Sequence, residues 1–362
     1  MNEFEEIAHT GGTITFIHDP ARGISVELKH SNPWRAAIYQ VCVSFEGIVL
    51  DFVPMGGIGQ SIPYPQPSIP AYLISDREGL FGQECPSCNS YFRSDCIGGD
   101  ISCPYCLHIE KGTEFLTENQ KHFITIFCNT FIKAHQNSET IEVDLDSLIS
   151  GLPNNKPRWV YSEERQQSKF NCYSCKATYD ILGDYGVCPC CGSANYREVI
   201  NSKLDSLEQA FNNADNNIQD RHDREVEWEK LTRCVSEFEA LANSVKRSLL
   251  QFPTAPKRRK DLSQLSFQNI INAAKRLKEW YEIDIMKGIK EDDKTFLDKM
   301  FNRRHVFTHN AGKVDQEYID NTGDTTVKVN MNIRFKSSEI KRLIPLIRAC
   351  STNLMNDFSA IE

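Results

Sequence analysis

The sequence lacks an apolar run long enough to cross a membrane. A membrane-spanning helix needs roughly 18 or more mainly apolar residues in a row, and no apolar run in this chain of 362 residues approaches that length. Residues 1–6 are acidic and lack the apolar stretch of a secretory signal. These absences exclude the usual marks of export and insertion, so we expect a cytoplasmic protein with no membrane partner.

The sequence also lacks an excess of positive charge. It has 41 lysines and arginines against 49 aspartates and glutamates, a net charge of −8. This balance argues against binding nucleic acid over the whole surface but leaves room for a local basic groove. The hydrophobic and charged contents, 40% and 25%, are ordinary for a globular protein. The length predicts two or three domains, and apart from a duplicated cysteine pattern there is no internal repeat.

Cysteine, in contrast, is abundant. Of the 14 cysteines, eight form four close pairs, which in a reducing compartment indicates metal binding rather than disulfides. The first cluster is Cys85-x2-Cys88, followed after 14 residues by Cys103-x2-Cys106. The second is Cys172-x2-Cys175, followed after 12 residues by Cys188-x2-Cys191. In each cluster the residues between the two pairs would form a hairpin that brings the second pair of cysteines next to the first, so that four thiolates surround one Zn²⁺.

Both clusters resemble zinc ribbons with rubredoxin-like knuckles, which implies two Zn²⁺ ions per chain. We expect structural sites, because four thiolates leave no open coordination position. A redox pair would need a thioredoxin-like unit, which the flanking sequence does not provide, and iron–sulfur clusters prefer other spacings. Cys190 is a spare thiol in the last pair, while Cys96 and His108 are alternative ligands for the first site.

The chain is predicted to be a multidomain α+β protein. Its segments, in order, are a β-rich N-terminal segment (1–75), a zinc ribbon (80–112), a connecting helix and linker (113–165), a second zinc ribbon (168–200) and an all-α bundle (201–362). Residues 54–70 are rich in proline and glycine and are expected to form a loop. Helical spacing in the connecting segment runs from Glu118 to His135.

About four helices are predicted in the C-terminal bundle. Periodic apolar residues over 201–252 indicate one long helix or two in series, broken by Pro253 and Pro256. Three further helices are expected at about 266–286, 292–308 and 338–358. Alternating apolar residues at 325–335 predict a short hairpin or strand.

One short segment of this bundle carries the candidate catalytic residues. His305 and His309 are four residues apart, so on a helix they share a face with Arg304 adjacent to it. Gly312 suits the C-terminal end of that helix. A zinc-protease motif would need glutamate after the first histidine, where Val306 stands. A histidine pair that merely caps a helix C-terminus is the alternative that these residues leave open.

The same segment resembles the R-x4-6-H motif of HEPN ribonuclease domains. The match consists of Arg304, His305 and His309, followed by Asn310-Ala311-Gly312, Val314-Asp315 and Tyr318. His305 takes the place of the polar residue, usually asparagine, that follows the arginine in the family, and Arg303 offers a second register. The resemblance covers residues 220–362. It implies a helical bundle that forms a homodimer and acts as a metal-independent endoribonuclease, in the role of a toxin or anti-phage defence effector.

The chemistry of RNA cleavage suits these residue types. The 2′-OH of RNA is its own nucleophile, and a neutral imidazole, with an ordinary pKa of about 6.5, can take its proton. A guanidinium pairs with the phosphate oxygens as charge builds up. The resemblance implies that His309 is the principal base or acid, that Arg304 binds the phosphate and stabilises the charge of the transition state, and that His305 orients the reacting groups. The two motifs of the dimer would face one cleft, and the products would end in 2′,3′-cyclic phosphate and 5′-hydroxyl, with no cofactor needed for catalysis.

A basic run lies on a predicted loop after the first long helix. It consists of Lys257, Arg258, Arg259 and Lys260 and, together with Arg303, makes up the predicted RNA-binding set. Adjacent cations can steer a phosphate backbone, although a nuclear-import patch or a solvated loop would have the same composition. Aromatic and basic residues of the ribbons either contact nucleic acid or pack over the hairpins, and the sequence leaves this open. They are Tyr91, Phe92, Arg93 and Tyr105 in the first ribbon and Tyr173, Lys176, Tyr179, Tyr185, Tyr196 and Arg197 in the second.

An alternative function comes from a different class of protein. A catalytically inactive HEPN protein would use its bundle for dimerisation and its zinc ribbons for binding nucleic acid. A transcription-associated zinc-ribbon adaptor is a third interpretation, but it would leave Arg304, His305 and His309 unexplained. A regulatory protein partner is compatible with the enzyme.

Overall fold

The computed structural model describes residues 12–21, 23–30, 37–54, 67–144, 165–214, 223–334 and 336–361. The chain divides into two compact units, Met1–Ser193 and Ala194–Glu362. Both cysteine clusters belong to the first unit, and the segment with Arg304, His305 and His309 belongs to the second. Most of the predicted proline-rich loop, at 55–66, and most of the predicted linker, at 145–164, lie outside the described residues.

The first unit begins with the predicted strands. They are β1 (Gly12–Asp19), β2 (Gly23–His30), β3 (Ile38–Val43), β4 (Val49–Pro54) and β5 (Ile69–Ile74). β1 lies between β2 and a later strand, β10 (Ile141–Asp144), whereas β3 lies between β4 and β5. All of these pairings are antiparallel. Alternate residues of β1, Ile14 and Phe16, are buried on one face, so the predicted β-rich segment is confirmed.

The helix α1 (Glu118–Asn137) packs against these strands. Thr117 and Gln120 cap its N-terminus with a capping box, in which each side chain accepts a hydrogen bond from the other residue's backbone N–H. Phe127 of the helix lies in the same core as Phe16, with their ring centroids 4.9 Å apart. The helix predicted as a connector within 113–165 therefore completes the N-terminal core, because its apolar face needs a partner that an isolated linker would not have.

The two cysteine-rich hairpins share one four-stranded sheet. Its strands are β6 (Phe81–Glu84), β7 (Tyr91–Ser94), β11 (Ser168–Asn171) and β12 (Thr178–Ile181), in the order β11-β12-β7-β6. The second hairpin joins the first where β12 pairs with β7, with Tyr179 opposite Ser94. A two-stranded sheet forms from β8 (Asp100–Ser102) and β9 (Ile109–Lys111). The ribbons are therefore two parts of one β structure.

The second unit is helical, as predicted. Its described helices are α2 (Tyr196–Ala214), α3 (Asp223–Leu249), α4 (Pro256–Ser263), α5 (Ile270–Tyr281), α6 (Glu291–Asn310), α7 (Gln316–Thr322) and α8 (Ser337–Ser359). α3 packs against α2, α6 and α8 and buries Leu231, Val235 and Phe238 at helical spacing. Residues 215–222, between α2 and α3, lie outside the described part of the chain.

Two local predictions in this unit are wrong. Pro256 is the first residue of α4. The N–H that proline lacks would make no hydrogen bond within the helix at this position, so proline is favourable there. The basic run 257–260 is therefore helical and does not form a loop. The hairpin predicted at 325–335 is not formed in its described part, which consists of turns and an isolated bridge between Lys313 and Asn332.

Candidate functional site

The first cysteine cluster is built from the turns that follow β6 and β8. The Sγ of Cys85 lies 3.6 Å from that of Cys106, and the Sγ of Cys88 lies 3.7 Å from that of Cys103. All four sulfurs lie within 4.8 Å of one another. A tetrahedral site with Zn–S bonds of ~2.3 Å has sulfur–sulfur edges of roughly 3.8 Å. The cluster therefore fits one zinc ion.

The second cluster repeats this geometry. The Sγ atoms of Cys172 and Cys191 are 3.6 Å apart, as are those of Cys175 and Cys188. These four sulfurs also lie within 4.8 Å of one another. All eight predicted ligands thus come together in two four-cysteine groups that could bind two zinc ions.

The four Cys-x2-Cys turns have the same backbone design. In each of the four, the residue after the second cysteine donates its N–H to the carbonyl of the first, at 2.8 to 3.2 Å. That residue has a positive φ in every turn: Asn89 (55°), Leu107 (63°), Lys176 (67°) and Gly192 (73°). This conformation is unfavourable for leucine and lysine. Its repetition indicates that each turn is shaped to direct two sulfurs at one point.

The spare thiols and His108 lie outside both groups. Among the described residues, the four-cysteine groups contain only the predicted ligands. Cys190 is exposed and Cys96 is half-buried, and burial and the neighbouring Cys190 thiol raise the pKa of Cys96. The His108 ring lies 6.3 Å from the Phe115 ring, measured between centroids. The alternative ligands considered from the sequence are therefore not needed to complete either site.

Arg93 belongs to a buried ion cluster. Its side chain is fully buried and forms ion pairs with Asp76 and Asp180. Burial alone would lower the pKa of Arg93, but these carboxylates raise it. Phe92 and Tyr179 are also buried. These three ribbon residues pack inside the unit, whereas Tyr173 of the second ribbon is 79% exposed and remains a candidate for contact with nucleic acid.

The last turns of α6 bring His305 and His309 together. Their ring centroids lie 4.4 Å apart, and the ring planes are inclined by 44°. His305 is half-buried and His309 is exposed. The helix ends at Ala311 and Gly312, which both have positive φ, at 50° and 79°. The two imidazoles share a face at a helix C-terminus, where the backbone dipole favours positive charge.

An aromatic stack fixes the position of this helix end. The Phe307 ring stacks on Trp228 of α3, with centroids 3.7 Å apart and planes inclined by 18°. A β-carbon at Gly312 would lie 3.3 Å from the Phe307 side chain and 3.7 Å from that of Trp228. Glycine suits this position, because a side chain would be strained at this positive φ and would press on the Phe307 ring. The turn after α6 is therefore held against α3.

Arg304 lies between α6 and α3. Its guanidinium forms an ion pair with Glu239 at 3.0 Å and donates a hydrogen bond to the Ser236 hydroxyl at 3.4 Å. Both charged side chains are 14% exposed, so the pair is mostly enclosed but reachable from solvent. Successive helical residues are ~100° apart, which separates Arg304 from His309 by roughly 140° around the axis. A shared substrate would therefore have to lie across the helix end.

Two atoms of this ion pair are unpartnered. Within the described residues, neither Nε of Arg304 nor Oε1 of Glu239 has a hydrogen-bonding partner, although protein encloses both. The Thr232 hydroxyl, one turn before Ser236, is in the same state. Burial raises the pKa of Glu239, and Arg304 opposes the rise only in part. A bound water could both donate to Glu239 Oε1 and accept from Arg304 Nε, whereas a phosphate could accept only from Arg304 Nε and the Thr232 hydroxyl.

Sequence reasoning missed Glu239, although a signal was present. Thr232, Ser236 and Glu239 follow one another at four- and three-residue spacing along α3, which puts them on one side of the helix. A polar stripe on a helix that otherwise buries apolar residues indicates a polar or charged partner on a neighbouring element. Here that partner is Arg304, which pairs with Glu239.

Arg303 is enclosed by the bundle, which corrects its place in the predicted RNA-binding set. It is 4% exposed and donates hydrogen bonds to Tyr318 at 3.2 Å, Asp324 at 3.3 Å and Glu339 at 3.0 Å. Burial alone would lower the pKa of Arg303, but the contacts with Tyr318 and the carboxylates raise it. Arg303 therefore links α6 to α7 and α8, and Arg304 is the arginine that remains for the histidine site.

The basic run lies on the surface of α4. Lys257, Arg259 and Lys260 are exposed. Arg258 is half-buried, and its guanidinium carbon lies 4.9 Å from the centroid of the Trp280 ring. The four cations are thus available to an anionic partner, from a helix instead of the predicted loop.

The two units carry different kinds of candidate site. The first holds the two four-cysteine groups, and the second holds the histidine pair with Arg304 and the basic run on α4. In the described ranges, no helix combines the length and the apolar character needed to cross a bilayer.

Comparison of the chain with protein-family models, with curated proteins and with solved structures found no match.

Proposed function

We propose that the chain is a metal-independent endoribonuclease of the HEPN type, with Arg304, His305 and His309 as its catalytic residues. The observation that carries the proposal is the pair of imidazoles, 4.4 Å apart at the end of α6. Arg304 of the same helix lies on another side of its axis, 14% exposed, with an enclosed Nε that is unpartnered within the described residues. Imidazoles and a guanidinium are the groups that cleavage without a catalytic metal requires.

In the proposed reaction His309, the more exposed imidazole, takes the proton of the 2′-OH. The 2′-oxygen forms a bond to phosphorus and the bond from phosphorus to the 5′-oxygen breaks, which leaves a 2′,3′-cyclic phosphate. The 5′-oxygen departs with a proton from an imidazolium. One imidazole cannot be base and acid in the same step, so the second protomer of the proposed homodimer supplies that proton, while His305 orients the reacting groups.

Arg304 is proposed to stabilise the charge that develops on the phosphate. A guanidinium has five N–H donors, and the contacts with Glu239 and Ser236 both use Nη2. Nε is unpartnered within the described residues but enclosed by protein, so a phosphate reaches it only if the seam between α3 and α6 opens. The enclosed carboxylate also holds the guanidinium in one place. This preorganisation lowers the entropy cost of binding the transition state.

We further infer that both four-cysteine groups hold Zn²⁺ and that both sites are structural. Sulfur–sulfur distances of 3.6 and 3.7 Å suit a tetrahedral Zn²⁺ site with no open position. When bound, the metal would supply ligation that organises the turns of the shared sheet. The eight cysteines would hold it as thiolates, and no step of the proposed cleavage involves it.

The proposed setting follows from the HEPN resemblance. It is a toxin or anti-phage defence effector in the cytoplasm, which dimerises through the helical bundle and cuts RNA. The cations of α4 would steer the phosphate backbone toward the bundle. A regulatory protein partner would keep such an enzyme silent until it is needed.

The ion pair between Arg304 and Glu239 also favours the alternative function. If the carboxylate holds the guanidinium permanently at its 3.0 Å contact, phosphate cannot use it. The chain would then be a catalytically inactive HEPN protein that dimerises and binds nucleic acid. In that case RNA would bind without being cut, so cleavage decides between the two functions.

The deciding experiment compares RNA cleavage by the wild type, His309→Ala and His135→Ala. His135 is an exposed histidine in the last turn of α1 and serves as a matched control. The assay contains no added divalent ion and follows brief treatment with EDTA, and the zinc content measured afterwards shows whether the ribbons kept their metal. Structured and unstructured RNA are both offered.

We expect the wild type and His135→Ala to release 2′,3′-cyclic phosphate ends. His309→Ala should lose about 10²- to 10⁴-fold in rate, the usual contribution of a general base. Full cleavage by His309→Ala, or cleavage only with added metal, contradicts the proposal. Binding without cleavage by the wild type favours the inactive alternative.

A further inference from the structure

Helices α4 and α5 concentrate positive charge in a chain that is acidic overall. Together they contain seven lysines and arginines and two acidic residues, whereas the whole chain has a net charge of −8. The cations are Lys257, Arg258, Arg259, Lys260, Lys275, Arg276 and Lys278. We call this region the α4–α5 basic surface. Its local field attracts a phosphate backbone in spite of the overall charge.

Two arginines of this surface lie close to the Trp280 ring. The guanidinium carbon of Arg258, from α4, lies 4.9 Å from the ring centroid, and that of Arg276, one turn earlier on α5, lies 5.6 Å from it. The indole is half-buried and Arg276 is exposed. A cation over a partly exposed ring contributes modestly, and Arg276 is also paired with Glu279 at 3.7 Å. Another planar group can therefore replace one of the two arginines at small cost.

A groove of about 360 Å³ lies beside the indole. Its lining includes the exposed side-chain amides of Gln264 and Asn272, the hydroxyl of Ser266 and one carboxylate, that of Asp261. The volume is in the range of small-ligand sites, ~300–1,000 Å³. Amides and hydroxyls both donate and accept hydrogen bonds, as the edge of a nucleobase requires. The arginines nearby suit a phosphate.

We propose that this groove binds one nucleotide of single-stranded RNA, with its base stacked on Trp280 and its phosphates on the α4–α5 basic surface. The choice of RNA rests on the proposed ribonuclease function. Stacking of bases on aromatic side chains is a general mode of single-strand recognition. The base displaces one guanidinium from the ring, and the displaced guanidinium pairs with a phosphate. The groove thereby selects unpaired RNA at residues other than the catalytic ones.

The test measures binding in the His309→Ala background, in which RNA stays intact. The probes are a labelled single-stranded RNA of about eight nucleotides and an abasic oligonucleotide with the same phosphates. Trp280→Ala should weaken RNA binding about tenfold and leave binding of the abasic probe within about twofold. Trp280→Phe, which keeps a stacking face, should recover most of the affinity. Arg259→Gln, at an exposed cation of α4, should weaken both probes alike.

Three outcomes overturn the proposal: no loss with Trp280→Ala, equal losses for both probes, or binding of polyaspartate with the same dependence on Trp280. The last would make an acidic peptide the ligand. If Trp280→Ala does not fold, fluorescence gives the same test. The RNA, but not the abasic probe, should quench tryptophan emission of the background protein and should lose this quenching in Trp280→Phe.

Failure of this proposal and failure of the ribonuclease function are distinguishable. If cleavage depends on His309 but RNA binding is the same without Trp280, the nucleotide-binding groove is rejected and the ribonuclease proposal stands. If RNA binding depends on Trp280 but the wild type does not cleave RNA, the ribonuclease proposal is rejected and the groove stands.

Discussion

The four-cysteine groups of the first unit and the end of α6 in the second both gather reactive side chains, but they differ in what remains open. In each four-cysteine group, the sulfurs surround one point at tetrahedral distances, so a bound metal would have no free coordination position. At the end of α6, His309 is exposed, and Arg304 keeps an unpartnered donor within the described residues. Groups whose bonding capacity is filled stabilise a fold, whereas groups with capacity left can act on a ligand.

The neighbouring residues Arg303 and Arg304 repeat this contrast at shorter range. Arg303 is 4% exposed, and three side chains accept its hydrogen bonds. Arg304 has one carboxylate partner, Glu239, and an enclosed Nε that is unpartnered within the part of the chain the structure describes. Residue type is identical, so the surroundings alone separate a structural arginine from a candidate catalytic one.

The largest effect of a single substitution, on zinc content and on stability, is expected in the four-cysteine groups. Cys103→Ser removes one buried sulfur, so we expect the chain to hold one zinc ion instead of two. The first unit should lose about 5 kcal/mol or more of stability, because metal binding and folding of the turns are coupled. Elemental analysis and thermal unfolding measure both effects. Cys190→Ser, at an exposed thiol outside the group, should keep both ions, and retention of two ions by Cys103→Ser would break the comparison.

The closed cluster around Arg303 should give an intermediate effect with a defined pH dependence. Burial alone would raise the pKa of Asp324, but hydrogen bonds from Lys299 and Thr326 hold it well below its ordinary value of 3.8. The stability that Asp324 contributes is therefore complete above that ordinary pKa and is lost as the pH falls below it. Asp324→Asn should cost roughly 3 kcal/mol near neutral pH and less at a pH of about 3.

Hydrogen exchange of α6 and α7 measures this loss in the second unit alone. Asp320→Asn, at an exposed residue of α7, is the control and should change stability by less than about 0.5 kcal/mol. A cost for Asp324→Asn that is the same at both pH values would show that the carboxylate contributes through shape and not through charge.

The smallest effect, a change in KM, is expected from a substitution in the ion pair between Arg304 and Glu239. Glu239→Gln keeps a side chain of the same shape beside Arg304 but removes its charge. More positive potential is then available to a phosphate, so KM for RNA should fall about two- to fivefold. Steady-state cleavage kinetics measure this change. Glu237→Gln is the matched control, because Glu237 is a half-buried glutamate of the same helix that pairs with Lys203 at 2.7 Å. An unchanged KM in Glu239→Gln would mean that Arg304 does not contact the substrate.

The cysteine ligands could be predicted because their geometry is local. Two sulfurs of a Cys-x2-Cys turn meet through hydrogen bonds within four residues, such as that from the Asn89 N–H to the Cys85 carbonyl at 2.8 Å. The pairing of His305 with His309 is local in the same sense, because one helical turn brings them together. Neither depends on the rest of the fold.

The arginine assignment could not be settled in this way. Arg303 and Arg304 are ~100° apart around α6, and the sequence does not reveal which side faces Tyr318 and Asp324 and which faces Glu239. Pro256 is similarly ambiguous, because proline both ends helices and begins them. The groove beside Trp280 also depends on how α4 and α5 meet.

The sequence by itself determined the strands of the N-terminal segment, most helices of the second unit, the four cysteine knuckles and the imidazole pair, because each depends on residues a few positions apart. The tertiary structure alone decided that the two ribbons share a sheet, that Arg303 is enclosed, and that Arg304 meets Glu239. Burial and charge pairing depend on which distant segments come into contact, and these long-range contacts are set only when the chain has folded.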